Sequence, residues 1–263
     1  MNILLFLIPI LTGWVVGFIV NYLADVLPVT RKLSVPACPN CNSAYATTDY
    51  LLFHACQTCQ QRRSMRTWFV FILMIGISMY IWITPPKLGF MVGLVLLTYF
   101  AMVFVIDLEH RLILHITSIF GALLALGLGW LSHGAGSTLM GGLAGFGLMV
   151  ALYYLGVLFS KFRARKMQEA GQEADDEEAL GSGDVILGGI LGLLLGWPLI
   201  WFSLLLGIFA AGLFGVVLII IMLVRRKYKE QALTMFMPYG PFLISSTFFI
   251  IFAPQLVRAI VPK

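Results

Sequence analysis

Of 263 residues, 60% are hydrophobic and only 11% are charged, with a mean hydropathy of +0.95. That mix excludes an ordinary soluble globule and calls for a chain embedded in lipid. The formal net charge of +5 has its explanation in the loop charges below and gives no reason to invoke nucleic acid.

A membrane-crossing helix needs about 20 mostly apolar residues. The apolar runs predict eight: roughly 3–24, 67–84, 88–106, 113–132, 138–159, 184–197, 198–224 and 238–257. The first has no basic leader region and no early small-residue cleavage site, so it reads as a retained helix. The second run has soft edges. The sixth is short, and Trp197-Pro198 separates it from the seventh. The fold class is therefore an all-α, multi-pass membrane protein.

The loop from 25 to 66 holds all four cysteines, as Cys38-Pro39-Asn40-Cys41 and Cys56-Gln57-Thr58-Cys59. Two CxxC pairs suit four thiolates around a tetrahedral zinc ion, and such a closed site has a structural role. Two disulfides or four idle thiols are the alternatives. A knuckle spanning about 33 to 66 is too small to hold itself with an apolar core.

Asp107 ends the third run and opens Asp107-Leu108-Glu109-His110-Arg111. Asp184 closes Gly181-Ser182-Gly183-Asp184. An ionisable group at the edge of a membrane span is costly enough to suggest function. Two such carboxylates suggest a pair sharing one proton, the machinery of an aspartic protease. Each also has a plainer reading. Asp184 could be a helix N-cap, and Asp107 a solvated helix end, as is expected of Glu109. Gly181 and Gly183 favour the sharper reading, because they let backbone approach the carboxylate closely.

Gly141 and Gly145 in the fifth span, and Gly188, Gly192 and Gly196 in the sixth, form small-xxx-small steps that predict close helix packing within the chain. Between these spans, Glu169, Glu173, Asp175, Asp176, Glu177 and Glu178 supply six of the twelve acidic residues. This reads as a solvated loop, with a lid or docking strip for a basic segment as the alternative. His54, His110, His115 and His133 show no ligand spacing, and His133 is expected in an outer loop.

Orientation follows from Lys and Arg in the short loops. Segments 25–66, 107–112, 160–183 and 225–237 hold 14 of them, and the other side holds Lys87, Arg258 and Lys263. The first side is then cytoplasmic, with reduced thiols available to metal, and both termini lie outside.

Taken together, these motifs resemble the prepilin peptidases, or type 4 prepilin leader peptidases, which are eight-span GxGD aspartic proteases of the inner membrane. Gly17-Phe18-Ile19-Val20-Asn21 followed by Leu27-Pro28 resembles the end of that family's first span. The two cysteine pairs match its zinc-binding cytoplasmic domain. Residues 107–113 and 181–185 resemble its two catalytic stretches, and Met237-Pro238-Tyr239-Gly240-Pro241-Phe242 the entry to its last span. The resemblance implies Asp107 and Asp184 as catalytic residues, with Gly181, Gly183, Glu109 and Arg111 as the surroundings that meet substrate. It implies cleavage of a basic leader from prepilin or pseudopilin precursors at the cytoplasmic face, and N-methylation of the new terminus from S-adenosylmethionine. It divides the chain into a first helix at 1–24, a zinc domain at 25–66 and a membrane peptidase domain at 67–263, with an acidic cytoplasmic loop at 160–183.

The chain departs from that pattern in places. Ile113-Leu114-His115 lacks the usual proline, and Ile186 stands where the family has lysine. His54-Ala55 replaces a glycine-arginine pair, and Arg66-Thr67-Trp68 lacks an acidic residue. The last two changes predict weak or absent methyl transfer. A non-catalytic prepilin-binding scaffold is the main alternative function. A transporter would bury its charges mid-span, whereas these lie at span ends on one side. Neither the oligomeric state nor the particular prepilin follows from the sequence.

Overall fold

The computed structural model describes residues 4–169, 181–224 and 238–255. Most of the acidic run, the basic residues 225–229 and Met237 lie outside these. Among the described residues, eight helices follow in chain order: α1 Leu4–Thr30, α2 Thr47–Leu51, α3 Met65–Ile83, α4 Phe90–His110, α5 His115–Glu169, α6 Ser182–Leu195, α7 Leu199–Val224 and α8 Gly240–Phe252. The described residues contain no strand, only one isolated antiparallel bridge between Ala37 and Ala44.

Phe6–Thr30, Met65–Ile83, Phe90–His110, His115–Phe162 and Leu199–Val224 are long and apolar enough to cross a membrane. At 1.5 Å per residue, the 19 residues of α3 reach about 28 Å, close to the hydrocarbon thickness. Ser182–Leu195 and Gly240–Phe252 are apolar but shorter. These helices make a multi-pass membrane protein. The long stretch in α5 is two arms, not one, because Gly134 breaks it at φ 81°, ψ 166°. A residue with a side chain is strained at that backbone angle. The predicted fourth and fifth spans are these two arms. The turn is tighter than predicted, so His133 lies in helix rather than loop. The loop expected from 160 also begins later, since α5 continues to Glu169.

The chain divides into two compact units, Met1–Leu114 and His115–Lys263. In the first, α1 packs on α3 and α4. Gly13 allows α3 to approach so closely that an added Cβ would lie 2.6 Å from Ile75 Cα. Asn21, buried on α1, donates from Nδ2 to Gly17 O at 2.9 Å and to Thr67 O at 3.3 Å, tying α1 to the start of α3.

In the second unit, α5 and α6 meet backbone to backbone through the predicted glycines. A Cβ on Gly145 would lie 2.3 Å from Gly188 O, and one on Gly192 2.2 Å from Gly141 O. The turns at one end are pinned together. Trp197 N donates to Ser137 O at 3.0 Å, and Ser137 Oγ donates to Trp197 O at 2.8 Å. The His133 ring reaches Leu194 O at 3.1 Å through Nε2 and Thr138 Oγ1 at 3.2 Å through Nδ1. Helix α8 packs on α7, where Ser203 Oγ lies 2.8 Å from Thr247 Oγ1 and 3.1 Å from Ser246 Oγ.

Gly192→Ala is expected to destabilise this unit by about 1–3 kcal/mol, the usual cost of overpacking. A Cβ on Gly147 of α5 would meet nothing within 4 Å, so Gly147→Ala should be close to neutral. Unfolding of both variants in detergent micelles checks the pair. Equal stability would refute backbone-limited packing of α5 on α6.

Candidate active site and cysteine cluster

Asp107 stands in the last turn of α4, in the first unit. It is 4% exposed, although an apolar helix end beside a charged loop would allow it to reach water. The reason is rotational. Two residues on a helix are about 200° apart, so Asp107 faces inward while Glu109 faces out. Glu109 is not simply solvated as expected, because its Oε2 accepts from Arg66 Nη1. The helix stops at Arg111, which adopts φ 52° and donates its N–H to Asp107 O at 2.9 Å. Arg111 is exposed and Leu114 is buried. Helix α4 thus ends without the proline of the resembled family.

Asp184 stands in the first turn of α6, in the second unit. It is 9% exposed, and its N–H donates to Gly181 O at 3.1 Å. Gly181 is the residue before the helix, at φ −75°, ψ 146°. That is ordinary extended backbone, so conformation alone does not require glycine there. Bareness matters more. A Cβ on Gly181 would lie 3.6 Å from Asp184 Oδ2, and its absence leaves one approach to the carboxylate open. Ile186, in place of the resembled family's lysine, is 38% exposed and brings no charge to this turn. Among the described residues, Asp107 and Asp184 are the only acidic residues that are buried.

The model of the type IV leader peptidase family matches residues 91–216. That stretch is similar to this family. It contains Asp107, Asp184, Gly181 and Gly183, and it runs from the first turn of α4 well into α7. No curated protein and no solved structure matches the chain.

The cysteine cluster precedes the matched stretch. Cys38, Cys41, Cys56 and Cys59 bring their sulfurs within 4.8 Å of one another. Two copies of one turn achieve this. In each, the first cysteine's carbonyl accepts from a residue four further on: Asn42 N to Cys38 O at 2.9 Å, and Gln60 N to Cys56 O at 2.8 Å. In each, the first cysteine's own N–H donates one residue beyond that, to Ser43 O or Gln61 O. Asn42 at φ 55° and Gln60 at φ 57° close the two turns. The Cys38–Cys59 and Cys41–Cys56 sulfurs are each 3.6 Å apart. Four thiolates at about 2.3 Å from a tetrahedral ion would stand about 3.8 Å apart, so the cluster is the right size for a metal such as zinc. The Ser43 hydroxyl, hydrogen-bonded at 3.4 Å, and the Cys59 backbone pull the Cys56 thiol down to about 5, while burial and the neighbouring Cys38 and Cys41 push the Cys59 thiol up to about 11, so the four sulfurs do not all favour the thiolate on their own.

The knuckle borrows its core, which its own sequence does not reveal. Cys38, Tyr45, Tyr50 and Cys56 are buried together, and Phe18 and Tyr22 of α1 pack against them. Sequence reasoning also passed over Asp25 on α1, Arg63, and the ion-pair role of Arg66. A carboxylate four residues beyond Asn21 in an apolar helix was a usable signal, since it needs a cationic partner.

Proposed function

We propose that this protein is a membrane aspartic endopeptidase that removes the basic leader from type IV prepilin or pseudopilin precursors at the cytoplasmic face of the inner membrane. What supports this reading is that two carboxylates, Asp107 in the first unit and Asp184 in the second, are each buried and both fall within the matched stretch. Burial keeps a carboxylate from being an ordinary solvated helix end, and two of them can share one proton.

In the proposed reaction, the ionised member of the pair takes a proton from water as the water oxygen attacks the scissile carbonyl. The protonated member donates to the carbonyl oxygen. Collapse of the tetrahedral intermediate returns that proton and breaks the C–N bond, and the leaving amine takes the proton gained from water. The two aspartates titrate as a unit, so neither is assigned as base. Gly181 and Gly183 leave room for an extended peptide beside Asp184, and Arg111 stands exposed beyond the other carboxylate. The substrate's apolar helix stays in the bilayer while its short basic leader remains in the cytoplasm, and the cut follows a glycine at that boundary. Both termini of the enzyme lie outside.

The test is purified protein in micelles with a prepilin whose leader ends in glycine. Loss of the leader is expected. An intact prepilin after long incubation would favour the non-catalytic, prepilin-binding reading, which Leu114 and Ile186 support by their departure from the family pattern.

The cysteine cluster is proposed to hold one structural zinc ion. No glycine-rich nucleotide loop offers a separate place for S-adenosylmethionine, and His54 adds bulk beside the cysteine domain. Processed pilin made with this enzyme alone should therefore carry little methyl group on its new terminus. Mass spectrometry decides this, and methylation of most molecules would refute it.

A further inference from the structure

The first unit contains a chain of charged groups that the proposed chemistry does not use. Asp25 accepts from three donors: Tyr50 Oη at 2.7 Å, Arg63 Nη1 at 3.2 Å and Arg66 Nη2. Arg66 donates through its other terminal nitrogen to Glu109 on α4. The Arg63 guanidinium lies over the Tyr50 ring, 3.8 Å from its centroid, and 5.1 Å from that of Tyr45. These two tyrosines are buried with Cys38 and Cys56. An unbroken path thus runs from the thiols through Tyr45 and Tyr50 to Asp25 and Arg63, then through Arg66 to Glu109, two residues from Asp107.

The path is not a solvated surface. The Arg63 side chain is 9% exposed and that of Arg66 20%. Removing water from a guanidinium is costly, so both depend on their carboxylates staying in place. Arg66 holds two carboxylates from two helices, which the fork of a guanidinium can do and the point charge of a lysine does poorly. Burial, followed by the charge of Asp25, pushes the Tyr50 hydroxyl well above its usual range, so it remains a donor. The placement of Tyr50 and Arg63 in turn depends on a knuckle that has little but its four thiols and its borrowed aromatics to fold it.

We propose that Arg66 is a positioning residue that couples the four-cysteine domain to the helix carrying Asp107, so that metal held by the thiols and the placement of the last turn of α4 stabilise each other. The consequence for catalysis rests on the peptidase reading, whereas the coupling itself does not. Such coupling is reciprocal: cutting the path at its far end must weaken metal binding at the near end.

Glu109→Gln cuts the path at an exposed residue far in sequence from the thiols, where misfolding is least to be feared. The full-length protein in micelles is loaded with zinc and titrated with a chelator. Glu109→Gln is expected to hold zinc about tenfold more weakly than wild type, within the usual range of such couplings. Arg66→Met should weaken it at least as much, Arg66→Lys should restore part of the loss, and Arg66→Met with Glu109→Gln should be no worse than Arg66→Met alone. Equal zinc affinity in Glu109→Gln and wild type, additive effects in the double variant, or a wild type that takes up no zinc would overturn the coupling.

With a prepilin substrate, Glu109→Gln should lower kcat about tenfold and leave KM within about twofold. A raised KM with unchanged kcat would make Glu109 a leader contact and overturn the positioning role. If wild type cleaves no prepilin, the peptidase reading falls, and the zinc titration still decides the coupling.

Discussion

Asp107→Asn and Asp184→Asn should each abolish leader cleavage, with a loss of at least about a thousandfold, while leaving the helices and the cysteine domain intact. The size of the effect follows from the division of labour. One carboxylate must be ionised to accept the proton of water, and the other must be protonated to donate to the carbonyl oxygen. An amide can do neither, and its volume is nearly that of the acid, so packing around Asp107 at 4% exposure and Asp184 at 9% should survive. Each single variant should be as inactive as the double, because the two act as one unit. Cleavage is read by mobility shift of the prepilin, and folding by helical content and unaltered zinc. Full processing by either variant would end the aspartic-protease reading. Glu109→Gln is the useful contrast, since it removes a carboxylate from the same turn but from the exposed side. A general loss of negative charge at the end of α4 would inactivate it as fully as Asp107→Asn.

How far the sequence foretold this structure depended on the range of the interaction involved. The glycine steps on α5 and α6 were legible because four-residue spacing places small residues on one helix face, and the backbones meet there. The two CxxC turns were legible because each closes within six residues. Asp107 and Glu109 differ by helix rotation alone, yet sequence gives no phase for the helix, so it could not say that Glu109 would find Arg66. The Asp25 network was illegible for another reason. Its partners lie 25, 38 and 41 residues away, and Arg66 is 43 residues from Glu109. Asp25 in an apolar helix signals that a cation is needed, but nothing local says which one. The knuckle's core was legible only in part: it is too small alone, as expected, and Phe18 and Tyr22 add to it from α1. Ile113-Leu114-His115 lacks the resembled family's proline, yet α4 still ends, because Arg111 caps it through its left-handed backbone. Proline is one means of ending a helix, and an αL cap is another.

Stripping the metal, or replacing Cys38 and Cys56 with serine, should unfold the segment from about 33 to 66 and leave α3 to α8 helical. Metal binding supplies folding free energy outright in domains of this size, on the order of 10 kcal/mol in isolated zinc modules. The borrowed core cannot replace it. Four buried residues and three partners bury far less apolar area than an independent domain requires. With metal gone, the sulfurs also lose the reason to remain 3.6 Å apart in their two turns. The helices should survive, because their apolar residues have the bilayer or micelle as solvent whatever the knuckle does. Limited proteolysis separates the two parts. Zinc-loaded protein should resist cleavage after Arg62 and Arg63, and the metal-free protein should be cut there first. Because Arg63 anchors Asp25, the cut should be accompanied by loss of peptidase activity before any loss of helical content. Metal analysis should give one zinc per chain, lost together with the protection. Equal protease resistance in the presence and absence of metal, or a Cys38→Ser/Cys56→Ser variant as protected as wild type, would show that the aromatic cluster on α1 holds the knuckle unaided.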